Sequence, residues 1–236
     1  MTERIREIAF DTETTGLDWA GEDRIIELGA VELINHVPTG EAFRRLINPG
    51  RPVSEATIRI TGITDDDLKD KPPFEDPSVL DAFLDFIGDG TLVAHNASFD
   101  RGFLNAELER AGRAIIPDAR WVDTLAIAKK KFPGAPASLD ALCKRFDISN
   151  EHRAYHGALL DSQLLADVYL ELLGGRARAF DFDAERTKAL AANRGPAAQR
   201  PRPLDPATTP EERAAHLEFV RDKLGPDSLW AKLLES

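Results

Sequence analysis

Asp11 and Glu13 stand one residue apart at the end of the first apolar run, Ile5 to Phe10. Side chains alternate along a strand, so the two carboxylates project from one face. Held this close they repel each other unless a cation lies between them. Hard oxygen donors suit Mg²⁺ or Mn²⁺. An isolated Asp-x-Glu is ordinarily a polar strand end, but here two more acids recur in suggestive settings. Asp100 follows His95-Asn96-Ala97-Ser98-Phe99, and Asp161 lies five residues after His156. Each sits where a strand end or helix could aim it at one crevice, the place where open α/β sheets put ligands. Four gathered carboxylates call for positive charge, and two divalent cations about 3.5–4 Å apart would supply it. Such a pair suits phosphodiester hydrolysis, because it acidifies a bound water and steadies the leaving oxygen. The water still needs a base. His156 is the candidate, since an ordinary histidine titrates near pH ~6.5. Thr14, Thr15 and Gly16 follow as a turn, and Gly16 would let a ligand approach the backbone.

The elements that must position these groups read as follows. Ile5 to Phe10, Arg24 to Ile34 and Glu41 to Ile47 are strands, the second nearly all apolar and therefore central. Three strands in succession predict an antiparallel meander. Ser54 to Ile60 reads as a short helix, and Thr64 as the cap of another, whose Asp65, Asp66 and Asp67 suit a helix start for dipole reasons. Asp76-Pro77 opens a clearer helix through Ile87. Thr91 to Ala94 is a short buried strand, followed by a helix ending at Gly112. Trp121 to Thr124 is another strand, leading into a helix through Lys131. Ser138 caps Leu139 to Phe146, and a helix through Leu172 follows His156. Strands first and then strand–helix alternation predict an α/β mixed sheet flanked by helices.

The 236 residues suffice for one domain with a full core plus an appendage. One cysteine, Cys143, excludes an internal disulfide. The charged start lacks the apolar core of a signal peptide, and no apolar run is long enough to span a bilayer, so the cytoplasm is expected. A net charge of −11 argues against gripping nucleic acid by charge alone. The charge is uneven: residues 1–175 are strongly acidic, 176–206 are basic, and 207–236 are acidic again. Gly195 to Pro206, rich in Pro, Ala and Arg, reads as a flexible linker. Thr209-Pro210-Glu211-Glu212 then opens a helix as a capping box. Leu217, Val220, Leu229 and Trp230 give this tail apolar faces too short to form their own core, which suits docking on a partner.

Phe10-Asp11-Thr12-Glu13-Thr14-Thr15-Gly16, His95-Asn96-Ala97-Ser98-Phe99-Asp100 and His156-Gly157-Ala158-Leu159-Leu160-Asp161 together resemble the three motifs of the DnaQ-like, or DEDDh, 3′-to-5′ exonucleases. The resemblance covers roughly residues 5–175 and implies a ribonuclease H-like fold. It also implies that Asp11, Glu13, Asp100 and Asp161 are carboxylates for two divalent cations, Mg²⁺ or Mn²⁺, and that His156 is the general base. By the same resemblance Thr14, Thr15, Gly16 and Leu17 contact the terminal nucleotide, and His95, Asn96 and Phe99 line its pocket. Ile60-Thr61-Gly62-Ile63-Thr64 is similar to a family turn that commonly has His where Thr61 stands.

Within that family the layout is similar to the proofreading subunits of bacterial replicative polymerases. This implies a 1–175 exonuclease domain, a 176–206 linker and a 207–236 segment that binds the catalytic subunit of a replicative DNA polymerase. Phe180 and Phe182 loosely resemble a sliding-clamp-binding peptide without its usual leading Gln. A small accessory core subunit is a further partner the layout implies. The expected substrate is the 3′ end of a DNA primer, delivered by polymerase and clamp to an acidic nuclease. Fraying would favour mispaired ends, which unpair more cheaply. Two rivals stand beside this reading: an RNA-directed member of the family, and a scaffold subunit whose activity is dispensable.

Overall fold

A computed structural model describes residues 4–150, 155–175 and 209–224. Phe180, Phe182, Leu229 and Trp230 lie outside the described residues. The sheet begins with β1 (Arg6–Thr14), β2 (Ile25–Ile34) and β3 (Val37–Leu46). These form the expected antiparallel meander. β4 (Thr91–Ala94) and β5 (Trp121–Asp123) add in parallel on the other side of β1, giving the order β3-β2-β1-β4-β5. β1 is thus the central strand, and it runs four residues past Phe10, so Asp11 and Glu13 lie within it. β3 starts earlier than its apolar pattern suggests. Asn35 and His36 both adopt left-handed conformations (φ 51° and 70°), the two-residue turn that matches the twist of a tight hairpin.

The helices are α1 (Glu55–Thr61), α2 (Asp65–Leu68), α3 (Leu80–Ile87), α4 (Ala97–Arg110), α5 (Thr124–Lys131), α6 (Leu139–Phe146) and α7 (Ala158–Leu172). Ser54, Thr64 and Ser138 cap α1, α2 and α6 through their hydroxyls. The Asp65–Asp67 run serves local structure: Asp67 completes the capping box, Asp65 accepts the Val53 N–H, and Asp66 pairs with Lys69. The expected start at Pro77 is displaced to Leu80. Asp76 turns its carboxylate onto the N–H and hydroxyl of Ser78, which makes a turn ahead of the helix.

The sheet has two covered faces, and the alternation along β1 sorts residues between them. Ile8 and Phe10 face a core containing Phe83, Phe103 and Leu104 from α3 and α4. Ala9 faces Leu165, Ala166 and Tyr169 of α7. Asp11 and Glu13, in phase with Ala9, therefore belong to the α7 face. By contacts the chain falls into two units, Met1–Ala184 and Glu185–Ser236. The second contains α8 (Pro210–Phe219), opened by the expected capping box of Thr209 and Glu212, and a π-helical turn at Val220–Leu224. Leu217 is half-buried and Val220 buried. Among the described residues no helix is long and apolar enough to cross a membrane.

Candidate active site

Glu13, His156 and Asp161 offer donor atoms that all lie within 4.8 Å of one another. Glu13 comes from β1, Asp161 from the first turn of α7, and His156 from the loop just before it. The His156 Nδ1 lies 3.2 Å from Asp161 Oδ2. The imidazole is about half exposed, whereas Asp161 is buried. Contacts outside the helix hold the histidine. Its N–H donates to the Ile60 carbonyl at 3.0 Å, and the neighbouring Tyr155 ring lies against Gly62. Gly62 sits at φ 71°, where a side chain would be strained, and a Cβ there would come within 3.0 Å of the tyrosine ring. Thr61 satisfies the same turn, donating to the Thr57 carbonyl and accepting the Ile63 N–H.

Asp100 comes from α4, in the opposite layer. It is buried in the first turn of α4, and its Oδ1 accepts both the N–H and the hydroxyl of Thr12, at 3.1 and 2.9 Å. Thr12 lies between Asp11 and Glu13 and points to the other face. The α4 carboxylate is therefore fastened to the strand segment that carries the first two acids. Burial pushes Asp100 up to about 7, against which the Thr12 hydrogen bonds act. A cation near it would remove that penalty. The donor set is carboxylate oxygen with one imidazole, partly buried and concentrated at a strand end, and this fits hard divalent cations.

The remaining candidates divide. Thr15 is buried and works within the fold: its hydroxyl donates to Asp23 and accepts the Arg24 N–H, and its carbonyl accepts from Thr57. The Thr14 hydroxyl donates to the Gly16 carbonyl. At Gly16 the space of a missing Cβ is filled by the Asp23 carboxylate, 2.2 Å away, so the glycine has a structural reason independent of any ligand. Leu17 is 82% exposed, which leaves its side chain available to a ligand. His95 is held by Thr124 at 3.0 Å, and burial lowers its pKa. Asn96 takes a left-handed conformation, and its N–H donates to Asp123. Phe99 packs on Phe103 with ring centroids 5.0 Å apart.

Sequence reasoning passed over Thr12, Asp123 and Glu27. The last carried a signal: a charged residue inside the run Ile25-Ile26-Glu27-Leu28 is buried only when something pairs with it.

The family model described as Exonuclease matches residues 8–169. The chain is 45% identical over 221 residues to the DNA polymerase III subunit epsilon of Rickettsia felis, covering 92% of this chain and 96% of that one. It is 42% identical over 238 residues to the protein of the same name from Salmonella typhimurium, covering 95% and 97%. Among solved structures, Exonuclease X in complex with 5′ overhanging duplex DNA aligns with TM-score 0.56 and 29% identity over 72% of this chain and 91% of that one. The nuclease domain of 3′hExo, a DEDDh family member bound to rAMP, aligns with TM-score 0.62 and 21% identity over 73% and 94%, a likeness of fold. With a family model spanning most of its length and relatives matching nearly end to end, the chain belongs to the exonuclease family.

Proposed function

We propose that Asp11, Glu13, Asp100 and Asp161 hold two divalent cations, Mg²⁺ or Mn²⁺, and that His156 is the general base of a 3′-to-5′ exonuclease. The observation that carries this is the convergence of Glu13, His156 and Asp161 within 4.8 Å, beside a strand segment to which Asp100 is fastened. When bound, the cations would supply a more acidic water and offset charge at the phosphate. The protein's own groups do the rest. His156, directing Nδ1–H at Asp161, presents Nε2 as the basic nitrogen that takes the water's proton. Its half-exposed ring can pass that proton to solvent. The exposed Leu17, with Thr14, Thr15, Gly16, His95, Asn96 and Phe99 around the same strand end, would seat the terminal nucleotide. The product would be a nucleoside 5′-monophosphate.

The chain is a proofreading 3′-5′ exonuclease subunit, in keeping with relatives named DNA polymerase III subunit epsilon. Residues 207–236, with Leu217, Val220, Leu229 and Trp230, would bind the polymerase catalytic subunit. Phe180 and Phe182 would meet a sliding clamp, and a small accessory subunit would complete the core.

The test is digestion of a 3′-mispaired primer–template with Mg²⁺, beside paired DNA, single-stranded DNA and RNA. Stepwise loss of the mispaired end, little loss of RNA, and at least a thousandfold drop in the Asp11→Ala/Glu13→Ala variant are expected. Faster trimming of RNA would move the substrate to the RNA-directed branch, and activity surviving the double substitution would sink the metal assignment.

A further inference from the structure

Helix α7 carries Asp161 in its first turn, yet its N-terminus has no side-chain cap of its own, because the cap position is Gly157. The four leading N–H groups of a helix need partners from somewhere. The partner here comes from the sheet. Glu27, the third residue of β2, is fully buried, and its Oε2 accepts the Ala158 N–H at 2.9 Å across 131 residues of sequence. Its Oε1 accepts from Arg44 Nε at 2.5 Å, so the buried charge has both a helix N-terminus and a guanidinium to balance it. Glu27 lies directly opposite Glu13 in the β1–β2 register.

The next position on the same face is Gly29, opposite Asp11. The helix start is pressed so closely onto it that a Cβ would fall 2.0 Å from the Ala158 carbonyl carbon. The Ser162 hydroxyl donates to the Gly29 carbonyl at 2.9 Å. The first turn of α7 is thus bolted to β2 at the two residues paired with Asp11 and Glu13.

We infer that Glu27 is a positioning residue of the reaction. By capping α7 from within the sheet it sets the separation between Glu13 on β1 and the Asp161–His156 pair, and so the fit of the site to its cations. A carboxylate suits this place better than a hydroxyl because it reaches from a strand, matches the positive end of the helix, and pairs with Arg44 at the same time. The inference rests on the assignment of Glu13, Asp161 and His156 above.

The test uses the full chain and the variants Glu27→Ala, Glu27→Asp, Glu27→Gln and Asp161→Ala. Three quantities are read: thermal unfolding, Mn²⁺ binding by titration calorimetry in the absence of DNA, and kcat and KM on a single-stranded oligodeoxynucleotide. Glu27→Gln keeps an acceptor for the Ala158 N–H and should stay within threefold of wild type in Mn²⁺ affinity and kcat. Glu27→Asp, one methylene too short, and Glu27→Ala should bind Mn²⁺ about tenfold more weakly and lose at least tenfold in kcat, with KM unchanged within twofold. If Glu27→Ala does not fold, Glu27→Asp carries the comparison. Wild-type Mn²⁺ affinity and kcat in a folded Glu27→Asp or Glu27→Ala would overturn the inference, and so would a Glu27→Gln as damaged as Glu27→Ala. Activity persisting in Asp161→Ala would instead strike the site assignment on which the inference stands.

Discussion

Helices α4 and α7 each carry one aspartate of the proposed site in their first turn, and neither caps itself with a side chain. Both borrow a carboxylate from the sheet. Asp123 at the end of β5 accepts the N–H of Asn96, and Glu27 in β2 accepts the N–H of Ala158. The likeness ends there. Asp100 of α4 is itself hydrogen-bonded into β1 through Thr12, so its place is fixed twice. Asp161 of α7 faces a half-exposed histidine whose N–H donates to the Ile60 carbonyl and whose neighbour Tyr155 lies against Gly62. One side of the site is built into the core, while the other is assembled at a helix start resting on the sheet. The proposed hydrolytic site would have use for both, since ligand acids gain from rigidity and a base must meet water and exchange protons.

The contrast is sharpest at two glycines. Gly29 lies beneath α7, and its added Cβ would strike backbone atoms at 2.0–2.3 Å. Gly102 lies on α4, and its Cβ would meet the Trp19 ring at 2.8 Å, a half-exposed side chain and not backbone. Gly29→Ala should therefore push α7 off the sheet, with loss of about 3 kcal/mol or more of stability by overpacking and a fall of at least a hundredfold in kcat. Gly102→Ala should cost less than about 1 kcal/mol and leave kcat within threefold, helped by alanine's better helix propensity. Urea unfolding and steady-state kinetics on the pair would decide it, and equal effects would remove the distinction between the two helix seats.

The next effect concerns charge on the rigid side. Burial raises Asp100 to about 7 in the folded chain, against an ordinary value of 3.8. An unfolded Asp100 ionises first as pH rises, so the folded state is fully favoured below the ordinary value and loses that advantage as pH climbs through about 7. In EDTA, Asp100→Asn should match wild type below about pH 3.8 and melt several degrees higher at pH 8. Saturating Mg²⁺ should reverse the order at pH 8, because the cation stabilises only the carboxylate. A melting difference that does not change with pH would show that Thr12 already offsets the burial of the charge.

How much of this was legible beforehand follows from the range of the interactions. The shared face of Asp11 and Glu13 is set by the two-residue period of a strand, and Ser54, Thr64, Ser138 and Thr209 announce their helices within three residues. Those features are local. Pro77 misled because a proline suits a turn as well as a first helical position, and the Asp76 hydrogen bonds to Ser78 chose the turn. The Asn35-His36 turn was hidden because neither residue is glycine. Glu27 could be seen as out of place in an apolar strand, but its partner lies 131 residues away. Nothing local says that Asp100 and Asp161 approach from opposite layers. That depends on which face of the sheet each helix covers, and the apolar patterns of α4 and α7 fit either.

The smallest expected effect tests the loosely held side. Tyr155 is 58% exposed, so its ring contributes little to the core, and Tyr155→Ala should shift the melting temperature by no more than about 2 °C. The ring, one residue before His156, nevertheless lies on Gly62, two residues after the Ile60 whose carbonyl takes the His156 N–H. Removing it takes away a contact beside the histidine while the Ile60 hydrogen bond remains. The expected result is a three- to tenfold fall in kcat with KM unchanged, since the base is displaced while the seats for nucleotide and cations stay in place. Rescue by Tyr155→Phe would follow, because the contact is made by the ring and not the hydroxyl. If kcat were untouched, the Tyr155 ring would have no part in holding His156, and the loop before α7 would seat its histidine as firmly as α4 seats its aspartate.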